Sequence, residues 1–271
     1  LKDASATSIY GSRGANGVVL IETKQGQGKP TITFDAYYGV STPEKKLDVM
    51  SGEEWVAWNM FRRNLNHLRA GGSMSDPMSA RSAGNQIPSS WASTTEFTDW
   101  QDAVMHTAPI QSYQASASAK GDIGSIYFSA GYMNQEGIIK GSDYNRFALR
   151  INGDQKLARN LSLNASIAYS YGTQNTANSN ADGWGAIAYT AMVMAPIQEI
   201  RDADGKYTNF SGTPWGGTNP VGMAELYKNK TVNSRLLANM SLIYEIIDGL
   251  TFRVNAGAEV NAGSSDRYIP I

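Results

Sequence analysis

The feature of the sequence that most constrains its fold is a two-residue alternation between apolar and polar side chains. In one segment Leu163, Ala165 and Ile167 alternate with Asn164 and Ser166. The same alternation recurs in segments 31–40, 113–120, 126–133, 147–154, 161–172, 236–247 and 250–261. Because successive side chains of a strand point to opposite faces, each segment has an apolar wall and a polar wall. The sequence therefore predicts an all-β, antiparallel fold with about seven strands.

Alternation alone fits two kinds of protein, a soluble β-domain and a β-barrel that spans a membrane. Three details favour the barrel. The segments are about 8 to 12 residues long, near the 9 to 11 that a tilted strand needs to cross a bilayer. Their polar walls carry Arg150, Asp154, Arg253 and Glu259, which a wet lumen tolerates. Tyrosines suited to membrane interfaces recur near the segment ends: Tyr38, Tyr113, Tyr132, Tyr169, Tyr171 and Tyr244.

The connections between these segments alternate in length. Short connections are expected at 120–124, 157–160 and 248–249. Long connections are expected at 41–109, 134–144 and 173–231. Outer-membrane barrels alternate in this way because their periplasmic turns are short and their extracellular loops are long.

The first long connection contains a predicted helix. Ser51 and Glu54 have the spacing of a capping box, and the apolar stretch 55–61 follows them. Arg62 and Arg63 come next, so bases lie towards the helix end, as the helix dipole favours.

Composition excludes several classes of function. The chain has 23 basic and 24 acidic residues, a formal net charge of -1, and this balance lacks the basic footprint of a nucleic-acid-binding protein. It has no cysteine, so a disulfide scaffold, a thiolate metal site and a cysteine nucleophile are excluded. The longest apolar run, at 191–197, is far shorter than a membrane-spanning helix.

The first 26 residues carry the most specific signal. They include Ser8-Ile-Tyr-Gly-Ser-Arg-Gly-Ala-Asn-Gly-Val-Val-Leu-Ile21, which closely resembles the end of the plug domain in SusC/RagA-type TonB-linked outer-membrane transporters. The likeness continues through 99–104, 107–110, 131–132 with 135–142, and 146 with 150–152, which resemble the early barrel hairpins of that family. It is weakest around 65–95 and 173–231.

The resemblance implies a fold and a domain organisation. Residues 1–28 are expected to end an α+β plug domain, and residues 29–271 to form the first part of a transmembrane β-barrel with long extracellular loops. Transporters of this class close with about 22 strands, so about seven are expected to be part of a larger barrel. The resemblance also implies a location in the outer membrane of a Gram-negative bacterium.

The plug motif also has a physical interpretation of its own. Residues 3–10 can form a helical turn that ends at Gly11, and 18–23 reads as a buried strand. The order of glycines and strand is not that of a dinucleotide-binding fingerprint, and we expect no cofactor. The motif residues are Asp3, Tyr10, Gly11, Arg13, Gly14, Asn16 and Gly17.

The resemblance implies energised import of large nutrients, most often oligosaccharides and sometimes peptides. TonB would act on the plug, through a segment that precedes this chain, and a SusD-like lipoprotein would cover the extracellular loops. A non-transporting surface module that binds glycans is the alternative. Neither hypothesis makes the protein an enzyme.

Five aromatic residues in the third long connection are candidate substrate contacts, because sugar rings stack on aromatic faces: Trp184, Tyr189, Tyr207, Phe210 and Trp215. The alternative is that these side chains pack the loop against its neighbours. His67 and His106 complete no triad or metal cluster in the sequence, and 202–205 reads as a turn rather than a calcium loop.

The connection lengths lead to a topology that labelling can test. Epitope tags inserted at Ser82 and Ser211 of the full-length receptor should be accessible on intact cells, because both lie in long connections. A tag at Asp122, in a short connection, should be accessible only after the outer membrane is permeabilised. Surface labelling at Asp122 would mean that the orientation is inverted.

Overall fold

The computed structural model describes residues 24–177, 186–208 and 218–269. Within them the chain forms one antiparallel sheet in which every strand pairs with its neighbours in sequence. The seven strands are β1 (Thr31–Ser41), β2 (Ala108–Lys120), β3 (Gly124–Glu136), β4 (Asp143–Ala158), β5 (Leu161–Asn175), β6 (Lys228–Ile247) and β7 (Leu250–Tyr268). The predicted antiparallel fold is confirmed.

Short helices occupy the two long connections. The α-helices are α1 (Gly52–Arg69), α2 (Trp100–Val104), α3 (Ile187–Val193) and α4 (Pro220–Leu226). Three 3₁₀ helices follow α1: Met78–Ala80, Ala83–Asn85 and Ser89–Ser93. In the part of the chain that the structure describes, no helix is long and apolar enough to cross a membrane.

The cap of α1 confirms the predicted helix start. The Glu54 amide donates to Ser51 Oγ at 3.2 Å, and the Ser51 amide donates to Glu54 Oε2 at 2.9 Å. The helix continues to Arg69, beyond the predicted end, and acids in its first turn and bases in its last turn complement the helix dipole.

The register of the strand pairs fixes the two walls of the sheet. Residues paired across neighbouring strands share a face. On one face Asn152 pairs with Ser166 and Ser166 with Asn239, and we call this the polar wall. On the other, Ile151 pairs with Ile167, and we call this the apolar wall.

The predicted alternation of short and long connections is confirmed for the short ones, and one of the three predicted long connections is wrong. Residues 121–123, 159–160 and 248–249 join strands at what we call the turn end. Residues 42–107 and 176–227 are long and lie at the opposite, loop end.

The predicted long connection at 134–144 is wrong in length. β3 and β4 stay paired as far as Glu136 and Asp143, so only 137–142 remain between them. The turn is stabilised by a hydrogen bond from the Gly137 amide to the Ser142 carbonyl at 2.9 Å. Several strands are likewise longer than their alternating segments, because backbone pairing continues into polar residues.

The segment that leads into β1 lies against the polar wall near the turn end. The buried Asn152 donates through Nδ2 to the Lys24 carbonyl at 2.6 Å, and Ser166 Oγ donates to Asn152 Oδ1 at 2.7 Å. The Lys120 amide donates to the Gly28 carbonyl at 3.0 Å. These bonds anchor the entering chain to β2 and β4, and Ser166 of β5 holds the Asn152 side chain. The plug motif at residues 1–23 lies outside the described residues.

Gly26 should be intolerant of a side chain. It is buried, and a Cβ there would clash with the carbonyl oxygens of Ala119 and Ile126, which belong to paired strands. We expect Gly26→Ala in the full-length protein to lower the free energy of unfolding by about 1–3 kcal/mol, as overpacking does. Thermal unfolding in detergent would measure the loss.

Gly121→Ala is the matched control. The atom nearest to its added Cβ is the Gly124 carbonyl oxygen, at 4.0 Å, so this variant should unfold as the unchanged protein does. Equal stability of the two variants would show that the entering segment does not pack tightly on the sheet.

Candidate functional site

The apolar core of the described residues lies at the loop end, between the short helices and not between layers of sheet. Trp100 and Val104 of α2 pack with Ile187 of α3 and Met223 of α4, and all four are buried. Partly buried residues, including Tyr207, pack around this cluster. Helices α2, α3 and α4 therefore form a compact cap over the loop end of the strands.

Hydrogen bonds join the two long connections to each other. The indole of Trp100 donates to the Ala195 carbonyl at 3.1 Å, and the Thr98 amide donates to the Pro196 carbonyl at 2.8 Å. Each bond links the connection 42–107 to the connection 176–227. The loop end is thus one packed unit formed by segments distant in sequence.

The buried Asn219 organises the part of this unit before α4. Its Oδ1 caps α4 by accepting from the amides of Val221 and Gly222, each at 3.1 Å. Its Nδ2 donates to the carbonyls of Ile200 and Thr208 at 2.8 and 3.1 Å. One side chain thereby satisfies both a helix start and the hairpin at 201–207.

Tyr207 is part of a polar cluster on this hairpin. The Arg201 guanidinium lies 3.9 Å from the centre of its ring and donates to Glu225 Oε2 at 3.1 Å. The Tyr207 hydroxyl donates to the same carboxylate. Burial, together with that hydrogen bond, raises the pKa of Tyr207 to about 12, so the hydroxyl remains a donor at neutral pH.

The two predicted substrate-contact residues that the structure describes, Tyr207 and Tyr189, have different surroundings. Tyr207 is packed by Arg201 on its ring and by Glu225 on its hydroxyl. Tyr189 lies on α3 and is partly exposed. The remaining members of the predicted set lie outside the described residues, and substrate contact stays a prediction for the whole set: Trp184, Tyr189, Tyr207, Phe210 and Trp215.

Sequence reasoning missed the residues that build the cap. Asp99 before Trp100 was one available signal, because Asp is a favoured N-cap residue. In the structure Asp99 caps α2 by accepting a hydrogen bond from the Asp102 amide at 3.0 Å. Asn219 followed by Pro220 was a second signal for a helix start.

Other residues considered as candidate ligands serve local structure. Asp202 Oδ1 accepts from the amides of Asp204 and Lys206, so 202–205 forms a turn. His67 bonds Asp76 Oδ2 at 2.8 Å, and hydrogen bonds from the Ser73 amide and His67 lower the pKa of Asp76. Among the described residues, no three His, Asp or Glu side chains are grouped as a metal site.

The described residues form a groove at the loop end and a basin on the polar wall. A groove of about 760 Å³ lies at the loop end between residues 46–52, 97–101 and 191–196. A basin of about 740 Å³ lies on the polar wall and is lined by Arg146, Arg150 and Arg235. Arg235 pairs with Glu259 at 2.9 Å.

Comparison with known proteins gives consistent relatives, although no family model matches. TonB-dependent receptor P26 of Formosa agariphila is 29% identical over 99% of this chain and 25% of its own length. TonB-dependent receptor SusC of Bacteroides thetaiotaomicron is 27% identical over 99% of this chain and 27% of its own length. The chain thus spans about a quarter of these receptors, none of which is named as an enzyme.

Solved structures agree with the sequence relatives. The RagAB peptide importer in its open-open state matches 98% of this chain and 31% of the solved chain, with a TM-score of 0.71 and 25% identity. Its closed-closed state matches with a TM-score of 0.70. The predicted resemblance and the partial-barrel fold are confirmed, because nearly the whole chain is similar in sequence and fold to part of a SusC/RagA-type TonB-dependent receptor.

Proposed function

We propose that the receptor to which this chain belongs imports large solutes across the outer membrane of a Gram-negative bacterium, with energy delivered through TonB. The observation that carries the proposal is the opposite chemistry of the two walls of the sheet. A strand with lipid on one side and a wet lumen on the other needs this division.

The apolar wall has the surface that lipid would cover. Large side chains on this wall are exposed in the structure: Ile32 is 83% exposed and Phe34 is 67% exposed. Phe128, Ile167 and Val260 are exposed on the same wall. Apolar surface on this scale, continuous over seven strands, marks an interaction surface and is rare on a soluble monomer.

Aromatic residues lie at both edges of this wall. Strand register places Tyr113, Tyr132, Phe147 and Tyr171 in one row near the loop end. Near the turn end, Tyr244 is paired with both Leu161 and Phe252.

The distance between the two edges suits a bilayer. Tyr171 and Leu161 are ten residues apart, about 34 Å along a strand. With a tilt of about 45°, this spacing corresponds to a band about 24 Å tall. Outer-membrane barrels have an apolar band of about that height between aromatic girdles.

We further propose that residues 1–28 end a plug domain and that residues 29–271 begin the barrel. The anchoring of Lys24 by Asn152 supports this division, because it brings the entering chain onto the polar wall. A plug inside a barrel would approach the strands from that wall.

The solute we propose is an oligosaccharide, taken up with a SusD-like lipoprotein over the packed loop end. Similarity to SusC along nearly the whole chain supports the lipoprotein partner. A peptide is the second candidate, because the RagAB peptide importer shares the fold over 98% of this chain.

Uptake by intact cells would test the import proposal. Cells with the full-length receptor should accumulate a labelled oligosaccharide mixture in a TonB-dependent manner, whereas receptor-deleted cells should not. A parallel assay with a labelled peptide mixture distinguishes the second candidate. Binding without TonB-dependent uptake of either mixture would contradict import and indicate a surface binding module.

The apolar wall should reject charge. Ile167 is at the middle of β5, and Ile167→Arg in the full-length receptor should cost about 2–4 kcal/mol near the bilayer midplane. Heat-modifiable gel mobility would report barrel assembly.

Asn164→Arg is the matched control on the polar wall of β5. Asn164 is exposed there, whereas Ser166 donates to the buried Asn152 and is a poorer comparison. The control should assemble better than the Ile167 variant. Equal tolerance would mean that the strand has no lipid face.

A further inference from the structure

Three arginines form a triangle on the half of the polar wall nearer the loop end. Arg146 and Arg150 are four residues apart on β4, about 13 Å along the strand. Arg235 on β6 pairs with Ser170, which pairs with Ala148, so its row lies between theirs. All three arginines line the basin of about 740 Å³.

Small residues form the floor of this basin. Gly131 and Ala148 pair across β3 and β4, and Ala168 and Ser170 follow on β5. Because these side chains are short, the arginines rise above the floor and leave space between them. The basin is therefore shaped to hold a group that is not part of the sheet.

The charge of the basin is not balanced by the described residues. Arg235 is paired with Glu259, whose carboxylate also accepts from Asn261 at 2.9 Å. Arg146 and Arg150 form no hydrogen bond or ion pair with any residue in 24–177, 186–208 or 218–269. Two guanidinium groups thus remain available to an occupant.

The position of the basin indicates where the occupant comes from. The entering chain is held nearer the turn end, where Asn152 binds the Lys24 carbonyl and Lys120 binds the Gly28 carbonyl. Arg146 and Arg235 lie nearer the loop end than those contacts. A solute that enters from the loops would meet the arginines first.

We propose that Arg146 and Arg150 bind carboxylate groups of the imported solute, an inference that rests on the proposed function. A guanidinium presents paired donors that match a carboxylate. The separation of the two arginines allows them to bind two separate acidic groups of one oligomer. The carboxylates could belong to an acidic sugar chain or to an acidic peptide.

Calorimetric titration of the purified full-length receptor in detergent would test this. One pair of probes is an oligogalacturonate and its methyl ester, in which the carboxylate charges are removed. A second pair is an aspartate-rich peptide and its asparagine counterpart. In at least one pair the charged probe should bind about tenfold more tightly than the neutral one.

The double variant Arg146→Gln with Arg150→Gln should remove this preference by weakening binding of the charged probe. Arg253→Gln, on the same wall but near the turn end, should keep it. If the double variant does not assemble, each single variant should reduce the preference severalfold. The pair of probes that shows the preference identifies the source of the carboxylates.

Three results would overturn the proposal. The first is the absence of charge preference in the unchanged receptor for both probe pairs. The second is a preference that survives the double variant. The third is a double variant whose only effect is an outer membrane that leaks antibiotics, as the loss of contacts with the plug would cause. TonB-dependent uptake of neutral solutes, measured separately, would still stand in each case, so import and anion binding fail independently.

Discussion

The register of the antiparallel strand pairs is the constraint on which the rest of the structure depends. A strand side chain changes face with every residue, so a shift of one position would exchange the two walls. Pairing of Ile151 with Ile167 and of Asn152 with Ser166 keeps the apolar and polar walls separate. The aromatic rows, the anchoring of the entering segment and the arginine basin all exist only in this register.

The loop end is stabilised by a different kind of interaction. The residues of the two walls lie on open faces of the sheet. At the loop end, in contrast, four residues pack together and are buried: Trp100, Val104, Ile187 and Met223. This arrangement places the only substantial apolar core of the described residues outside the sheet. The strands supply a scaffold with two chemically distinct sides, and the cap adds a folded surface at the loop end.

Much of the sheet could be predicted from the sequence because alternation is a local signal. All seven strands and the capped helix at Ser51 were predictable in this way, and so were the short turns. The ends of the strands were not, since pairing between Glu136 and Asp143 involves polar residues without alternation. The helices α2, α3 and α4 are too short to show periodicity and depend on contacts with each other.

The candidate site was less predictable for the same reason. Aromatic residues in a long connection suggested stacking surfaces, but the sequence could not show that Arg201 and Glu225 would both engage Tyr207. Nor could it place Arg235 beside the arginines of β4, because that proximity follows from two successive strand registers.

The contact between Leu47 and Gln101 has a consequence for how the receptor surface can vary. The Leu47 amide donates to Gln101 Oε1 at 3.0 Å, and Gln101 Nε2 donates to the Leu47 carbonyl at 2.8 Å. The two ends of the stretch 48–100 are therefore held together by this pair of hydrogen bonds. Closure entropy grows only with the logarithm of loop length, so insertions within this stretch cost little. The chain can thus acquire additional surface there while the spacing between β1 and β2 stays the same.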